Sequence, residues 1–285
     1  MAKGREEKSF QLYRYDPSIA AAGIFVALFG ISTLLHMYQQ IRKRAWFLTP
    51  FIIGGWFEAL GYIGRMMSSK DKDNLSPYIM QSLLLLLAPA LFAASIYMIL
   101  GRIIALTDGE QYSLIRRTWL TKLFVAGDVL SFLMQGGGGG IMSTAKGDLD
   151  KLKMGERIIL GGLFVQLFFF GFFAVAAAVF QYRGRAHLNS IAHRVAWRKH
   201  LYVLYTVSIL ILIRSLFRVI EYLQGNAGYL LRHEVFLYVF DAVLMSGVMI
   251  AMNIVHPGDI AIMLKMKGDQ GSSFVELSTS GQSKG

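Results

Sequence analysis

The sequence predicts an all-α, polytopic membrane protein with seven transmembrane helices, its N-terminus outside and its C-terminus cytosolic. The first observation is composition: hydrophobic residues make up 54% of the 285 residues, charged residues 16%, and the mean hydropathy is +0.47. A soluble domain carries about 25% charged residues and could not bury this much apolar surface in one core. The second observation is a series of seven apolar stretches, each long enough, at about 20 residues, to cross the hydrocarbon core of a bilayer.

The predicted spans follow one another with no soluble domain between them. They cover residues 18–38, 46–67, 77–105, 119–143, 155–182, 200–223 and 233–255. Residues 1–17 are expected to form an extracellular N-terminus, residues 18–258 the transmembrane domain, and residues 259–285 a disordered cytosolic tail rich in Ser and Gly. Since no signal peptide precedes the first span, that span is expected to serve as the insertion signal.

The orientation is predicted from the positions of Lys and Arg. With the N-terminus outside, the cytosolic loops hold a narrow majority of these cations and few acids, which is the bias that the positive-inside rule describes. The net charge of +11 then belongs mainly to a surface that faces anionic lipid, and nucleic acid is not an expected partner. The sequon at Asn74 falls in an outside loop, but so close to the membrane that glycosylation is doubtful.

Proline and glycine mark the third and fourth spans. Ser76 and Pro77 form an N-cap followed by proline at the first helical position, and Pro89 is expected to kink span three. Residues 136–140 are five consecutive glycines near the outer end of span four. Such a run either lets another helix approach closely or breaks the helix beside a cavity, and the sequence leaves both possibilities open.

Polar and ionisable side chains recur at helical spacing within four of the spans. Each is costly in hydrocarbon and is therefore expected to face the interior of the bundle. The stripes comprise Glu58, Tyr62 and Arg65 in span two; Asp128, Ser131 and Gln135 in span four; Arg214, Arg218 and Glu221 in span six; and Glu234, Tyr238 and Asp241 in span seven. Nearly all of them fall in the outer half of the membrane, which predicts a hydrated polar cavity among these four helices.

All of these side chains except Ser131 are candidate ligand-binding residues. The functional interpretation is a site for an amphipathic ligand with a polar or cationic headgroup, contacted by Glu58, Asp128 and Asp241. A structural interpretation is the alternative: the charges would form buried salt bridges that set helix register, or Arg65, Glu221 and Glu234 would extend to the interface.

Motifs for other chemistry are missing from the sequence. There is no cysteine, no HExxH and no Walker A motif, so an enzyme is not expected, although a metal-dependent intramembrane hydrolase remains a third alternative. No cofactor is expected either. His36 and His256 lie near the cytosolic ends of spans one and seven, where capping or interface roles compete with a haem or porphyrin contact.

The polar stripes resemble the fungal lipid-translocating exporter family, also described as RTA-like. The resemblance extends from Tyr15 to Gly258 and includes the runs 58–65, 87–97, 128–135, 214–221 and 234–241. It implies seven helices in a fungal membrane, most simply the plasma membrane, with an endomembrane as the alternative. It also implies export of sphingoid long-chain bases or similar cationic amphiphiles and resistance to toxic amphiphiles. A lipid-sensing receptor or regulator that does not transport is the second alternative.

Overall fold

The computed structural model describes residues 18–70, 75–145, 148–193, 196–224, 228–267 and 269. These residues are helical apart from short connections, and no strand occurs among them, which confirms the all-α prediction. The predicted extracellular N-terminus, the sequon at Asn74, and residues 268 and 270–285 of the predicted tail lie outside the described residues, whereas residues 259–267 of that tail are helical. The predictions made for those three segments therefore stay predictions.

Seven long helices form the described bundle, and the last of them contains a π-helical turn. The helices are α1 Ile19–Lys43, α2 Thr49–Lys70, α3 Leu75–Leu106, α4 Arg117–Thr144, α5 Leu149–Arg183, the short α6 Arg185–Ser190, α7 Trp197–Leu223, the short α8 Tyr229–Arg232, α9 Glu234–Leu237, α10 Leu244–Ile254 and α11 at 258–267. The π-helical turn Tyr238–Val243 joins α9 to α10, and these three segments are called the α9–α10 helix below.

Local side chains explain where two of these helices begin. The hydroxyl of Ser18 accepts a hydrogen bond from the backbone N–H of Ala21 at 3.3 Å at the start of α1. The carboxylate of Asp148 accepts from the N–H groups of Asp150 and Lys151 at the start of α5. Because the Lys151 N–H favours the charged form most, the pKa of Asp148 lies below its ordinary value. Both residues are N-caps of the type that satisfies the free N–H groups of a first turn.

The long helices alternate in direction across the bundle. Gly138 of α4 faces Gly155 of α5, whereas Gly127, further back along α4, faces Phe169, so this pair is antiparallel. By contrast, α1 runs parallel to the α9–α10 helix. The backbone N–H of Ser18 donates to Glu234 at the start of both helices. At the other end, Lys43, the last residue of α1, pairs at 2.6 Å with Asp259, which follows the end of α10.

Six of the long helices are long and apolar enough to cross a membrane. These are Ile19–Lys43, Trp46–Ser69, Met80–Leu106, Asp150–Arg183, Trp197–Leu223 and Glu234–Lys267. The remaining long helix, α4, has 28 residues and is therefore about 42 Å long, but its glycines and charges lower its hydropathy. The seven-span count stays a prediction, which the alternation of helix directions supports, and the orientation of the termini stays a prediction as well.

The glycine run packs closely and does not break its helix. α4 continues through residues 136–140. A Cβ atom added at Gly138 would lie 2.7 Å from the carbonyl oxygen of Gly155, whereas one added at Gly136, Gly137, Gly139 or Gly140 would meet no atom within 4 Å. Of the two possibilities that the sequence leaves open, the structure therefore shows close helix packing, and it assigns that role to Gly138 alone.

Candidate ligand-binding site

The innermost part of the site is a set of ion pairs around Asp241, which lies in the π-helical turn. Its carboxylate accepts hydrogen bonds from Arg214 and, at 2.8 Å, from Arg218, both in α7. Arg218 also pairs with Glu221 one turn further along at 2.9 Å. We call these four residues the Asp241 network. Its formal charges cancel, because two guanidinium groups face two carboxylates.

A proline in α3 helps to hold Arg214 in this network. Proline has no backbone N–H, so Pro89 leaves the carbonyl of the residue four positions earlier without its helical hydrogen bond. That residue is Leu85, and its carbonyl oxygen accepts a hydrogen bond from Arg214 Nη2 at 2.6 Å. α3 nevertheless continues through Pro89 as one helix. The proline thus supplies an acceptor for a buried guanidinium.

A second layer closes the end of the bundle where α1 and α9 begin. Arg65 of α2 donates to Glu234 at 2.8 Å and to the hydroxyl of Tyr238 at 3.2 Å. Both carboxylate oxygens of Glu234 also lie 3.0 Å from the backbone nitrogen of Ser18. These four residues, called the Glu234 lock below, connect α1, α2 and the α9–α10 helix.

Glu58 and Tyr62 lie on the face of α2 that carries Arg65, and they are fully buried. The exposed fraction of each is 0%. Neither carboxylate oxygen of Glu58 has a hydrogen-bond partner among the described residues. The hydroxyl of Tyr62 has none among them either. Glu58 lies in the field of the Asp241 network, next to Asp241, Arg214 and Arg218. The structure therefore brings the stripes of spans two, six and seven together and leaves one of their acids without a donor.

Aromatic rings separate Glu58 from the membrane on the side of α1. Tyr62 stacks on Phe29 with ring centroids 5.7 Å apart. Phe25, one turn earlier in α1, stacks on Tyr238 with centroids 5.4 Å apart. Glu58 is thus covered on this side by aromatic rings that pack between α1, α2 and the α9–α10 helix.

The polar stripe of α4 does not join this group, and the prediction that four stripes line one cavity is wrong. The hydroxyl of Ser131 donates to the carbonyl of Gly162 at 2.7 Å, and Gln135 donates to Gln166 of α5 at 3.3 Å. Asp128 faces the hydroxyl of Tyr97 in α3, although neither of its carboxylate oxygens nor that hydroxyl has a hydrogen-bond partner among the described residues. The reason is the packing of glycines between α4 and α5, which turns the stripe of α4 toward α5 and α3.

The predicted cavity is not open to the surface in this conformation, whereas its hydration stays a prediction. Arg65 and Arg214 are each 1% exposed, and Asp241 is 0% exposed. The long arginine side chains fill the interior and form hydrogen bonds there. Arg65 and Glu221 do not extend to the interface, because both are buried.

The histidines form no metal centre in the described part of the chain, where no group of three or more His, Cys, Asp or Glu side chains could hold a metal ion. The rings of His36 and His256 are 5.7 Å apart, and both residues are buried. His36 Nε2 lies 3.1 Å from the carbonyl oxygen of Met249, and His256 Nδ1 accepts from the N–H of Gly258. An axial haem ligand would need a ring nitrogen free to bind iron, and these contacts already use His36 Nε2 and His256 Nδ1. A haem or porphyrin contact at either histidine stays a prediction.

Sequence reasoning missed three partners of the site. They are the backbone of Ser18, the carbonyl of Leu85 and the hydroxyl of Tyr97. Only the carbonyl of Leu85 carried a signal, since a proline inside a helix identifies the carbonyl four residues earlier as free. The other two are ordinary residues in apolar helices, and only their neighbours in space give them a role.

Comparison with known proteins bears directly on this arrangement. The family described as RTA1 like protein matches residues 51–263, which contain every candidate residue of the site. The chain belongs to this RTA1-like family. The resemblance inferred from the polar stripes is thereby confirmed, and the protein is a membrane protein by family as well as by its apolar helices.

Several relatives in the RTA1-like family come from Saccharomyces cerevisiae. The chain is 38% identical to Protoporphyrin uptake protein 1, over 87% of this chain and 92% of that protein. It is 34% identical to Protein RTA1, over 87% and 85%. It is 26% identical to Sphingoid long-chain base transporter RSB1, over 82% and 70%. No solved structure matches the chain.

Proposed function

We propose that this protein binds amphipathic lipids with a cationic headgroup, such as sphingoid long-chain bases, and moves them across or out of a fungal plasma membrane. Export of this kind would protect the cell from toxic amphiphiles. The relative named as a sphingoid long-chain base transporter supports the substrate class. The observation that carries the proposal is the buried, unpartnered carboxyl group of Glu58.

Among the acids that the stripes of spans two and seven bring together, Glu58 is the one best suited to receive an ammonium group. Asp241 already accepts from two arginines, and Glu234 accepts from Arg65 and Ser18. A ligand could bind either of these acids only by displacing a charged partner, which would leave a buried guanidinium without its counter-ion. An ammonium group beside Glu58 would instead supply the missing hydrogen-bond donors, and the hydroxyl of Tyr62 is free to contact a hydroxyl of the headgroup.

The route to Glu58 passes between α1 and the α9–α10 helix. In the most apolar part of α1 only 22% of the residues are buried inside the protein, so this helix is held mainly by one face. Breaking only the contacts of Ser18 with Glu234 and Tyr238, while Arg65 keeps its pair with Glu234, would admit a headgroup to Glu58. The hydrocarbon tail would stay along the lipid-facing side chains of α1, such as Ile24 and Ile31. Keeping the hydrocarbon tail in lipid is favourable by about 0.8 kcal/mol for each buried CH₂ group.

The test is translocation in liposomes that contain only the purified full chain. A labelled sphingoid base added to one leaflet should reach the other leaflet faster than in empty liposomes. Glu58→Gln should lower the rate at least tenfold, because the neutral amide attracts an ammonium group less strongly. Glu110→Gln, at an exposed acid in the loop before α4, is the matched control and should leave the rate unchanged.

Asp128→Asn tests whether the loss of transport is specific to Glu58 or common to both buried acids, Glu58 and Asp128. Since Asp128 interacts with Tyr97 and not with the Asp241 network, this variant should keep the rate within about twofold of the unaltered protein. No movement of the lipid, despite saturable binding that Glu58→Gln abolishes, would contradict translocation and leave a lipid-sensing receptor or regulator. The exposed cations Arg116, Arg117, Arg183 and Arg185 at one end of the bundle would suit recruitment of an acidic partner by such a receptor.

A further inference from the structure

The surroundings of Glu58 contain no net positive charge to balance an ionised carboxylate. Arg214 and Arg218 are matched by Asp241 and Glu221 within the Asp241 network. The donors of these arginines that form hydrogen bonds are directed at Asp241, Glu221 and the carbonyl of Leu85. The buried Nε of Arg218 has no partner among the described residues, and it donates to neither oxygen of Glu58. An ionised Glu58 would therefore add one uncompensated negative charge to a closed interior.

Every element packed around Glu58 contributes to this conclusion. α7 supplies Arg214 and Arg218, the π-helical turn supplies Asp241, and α2 itself supplies the hydroxyl of Tyr62. α1 presents the rings of Phe25 and Phe29 to Tyr62, and the buried side chain of Leu85 in α3 packs against Gly61, the residue before Tyr62 in α2. Among these groups none donates a hydrogen bond to either oxygen of Glu58.

A buried carboxyl group without a donor or a counter-ion avoids the cost of its charge by binding a proton. The cost of an isolated charge in such a site is several kcal/mol even after relaxation. The closed conformation is therefore compatible with a neutral Glu58. A bound ammonium group reverses this preference, because an ionised Glu58 then has both a counter-ion and a hydrogen-bond donor.

We infer that Glu58 is a proton-exchange site, which carries a proton while the bundle is closed and releases it when an alkylammonium headgroup binds. The exchange balances: R–NH₃⁺ and the carboxylic acid of Glu58 become an ammonium–carboxylate ion pair and one H⁺ in solution. The inference rests on the proposed function and adds to it a coupling between the movement of the lipid and the movement of a proton. In a membrane, an outward step of the amine would then be paired with re-protonation of Glu58 before the bundle closes again.

Proton release makes binding depend on pH in a defined direction. Because one proton leaves for each ligand bound, affinity rises with pH as long as the empty site is protonated. A primary alkylammonium has a pKa near that of lysine, about 10, so it remains charged between about pH 5.5 and 7.5. Over that range we expect the Kd of sphinganine to fall about tenfold for each pH unit.

The experiment measures the binding of sphinganine to the purified full chain in a neutral maltoside detergent. Isothermal titration calorimetry at one pH in buffers of different ionisation enthalpy gives the number of protons released, which we expect to be one. Glu58→Gln cannot exchange a proton, and it should give zero protons and a Kd that does not change with pH. Glu110→Gln should behave like the unaltered protein, and the melting temperature of each variant checks its folding.

The outcomes separate the inference from the function on which it rests. Saturable binding with no proton released, or with a Kd independent of pH in the unaltered protein, overturns proton exchange and leaves lipid binding in place. Absence of saturable binding in the unaltered protein overturns the binding function, and proton exchange with it. Proton release that persists in Glu58→Gln assigns the exchange to another group and overturns the role of Glu58.

Discussion

Pro89 and Arg214 are linked through a single carbonyl oxygen. Pro89 removes the helical donor to Leu85, and Arg214 Nη2 takes its place at 2.6 Å. An alanine at position 89 would restore an N–H that competes for the same oxygen, so Pro89→Ala and Arg214→Met should not have additive effects on stability. We expect a coupling energy of about 1–3 kcal/mol, the range for hydrogen bonds to charged groups.

The coupling is measured by a double-mutant cycle on thermal unfolding in detergent. Pro77→Ala combined with Arg214→Met is the matched control, because Pro77 lies in the first turn of α3, where no helical hydrogen bond is lost. Additive effects in the Pro89 cycle would show that the carbonyl of Leu85 does not hold Arg214.

Asp241→Asn should destabilise the protein by about 3–5 kcal/mol. The substitution removes the carboxylate that Arg214 and Arg218 share. Breaking a buried ion pair by removal of one partner costs about 3–5 kcal/mol. Unfolding monitored by tryptophan fluorescence in detergent measures the loss. The control is Asp148→Asn at an exposed pair with Lys151, in which the two side chains are 45% and 57% exposed. It should change stability by less than about 1 kcal/mol. Equal effects of the two variants would contradict the view that the Asp241 network is a buried structural centre.

Two neighbouring glycines of α4 should respond to alanine in opposite directions. At Gly138 a Cβ atom would meet the carbonyl of Gly155 at 2.7 Å, so Gly138→Ala should destabilise the protein by about 1–3 kcal/mol. At Gly139 nothing lies within 4 Å, so Gly139→Ala should stabilise it by up to about 1 kcal/mol through helix propensity. The melting temperatures of the two variants measure these changes. A higher melting temperature in both variants would show that α4 and α5 do not pack as described.

Holding the Glu234 lock closed should stop transport. The chain has no cysteine, so a pair introduced as Ser18→Cys and Glu234→Cys can be bridged selectively by a short bis-methanethiosulfonate linker, which forms a reducible disulfide with each thiol. Bridging should reduce sphingoid-base movement in liposomes at least tenfold, and reduction of the bridge should restore it.

The same seam between helices provides the control for that bridge. Gln39 and Asn253 lie at the other end of the contact between α1 and the α9–α10 helix, where the Gln39 side chain donates to the Asn253 carbonyl at 3.3 Å. Bridging Gln39→Cys to Asn253→Cys should leave transport largely intact, because the headgroup enters at the opposite end. Transport that survives the bridge at Ser18 and Glu234 would rule out this entry route.

Much of the fold follows from local properties of the chain. A stretch of apolar residues long enough to cross hydrocarbon must satisfy its backbone groups internally, so it is helical whatever its neighbours are. The 3–4 spacing of Glu58, Tyr62 and Arg65 likewise places them on one face of α2 without knowledge of any other helix. The prediction of inward-facing charges at these positions holds for the same reason, since hydrocarbon excludes them.

The relation between helices does not follow from such local rules. The stripe of α4 has the same spacing as that of α2, yet Gln135 contacts Gln166 of α5 and not the Asp241 network. The rotation of α4 depends on Gly138 and Gly155 fitting against each other, and nothing within span four alone specifies which glycine has a partner. The π-helical turn that contains Asp241 is a further feature of packing that no periodicity in the sequence indicated.

The sequence by itself determined the class of protein, its helices, the RTA-like resemblance and the set of polar residues that must lie inside the bundle. The tertiary structure decided which acids have partners: Asp241 and Glu234 are paired with arginines, whereas Glu58 is buried without a donor. The physical reason is that burial of a charge is dictated by the solvent around one helix, whereas the pairing of that charge depends on how distant helices are rotated and packed against one another.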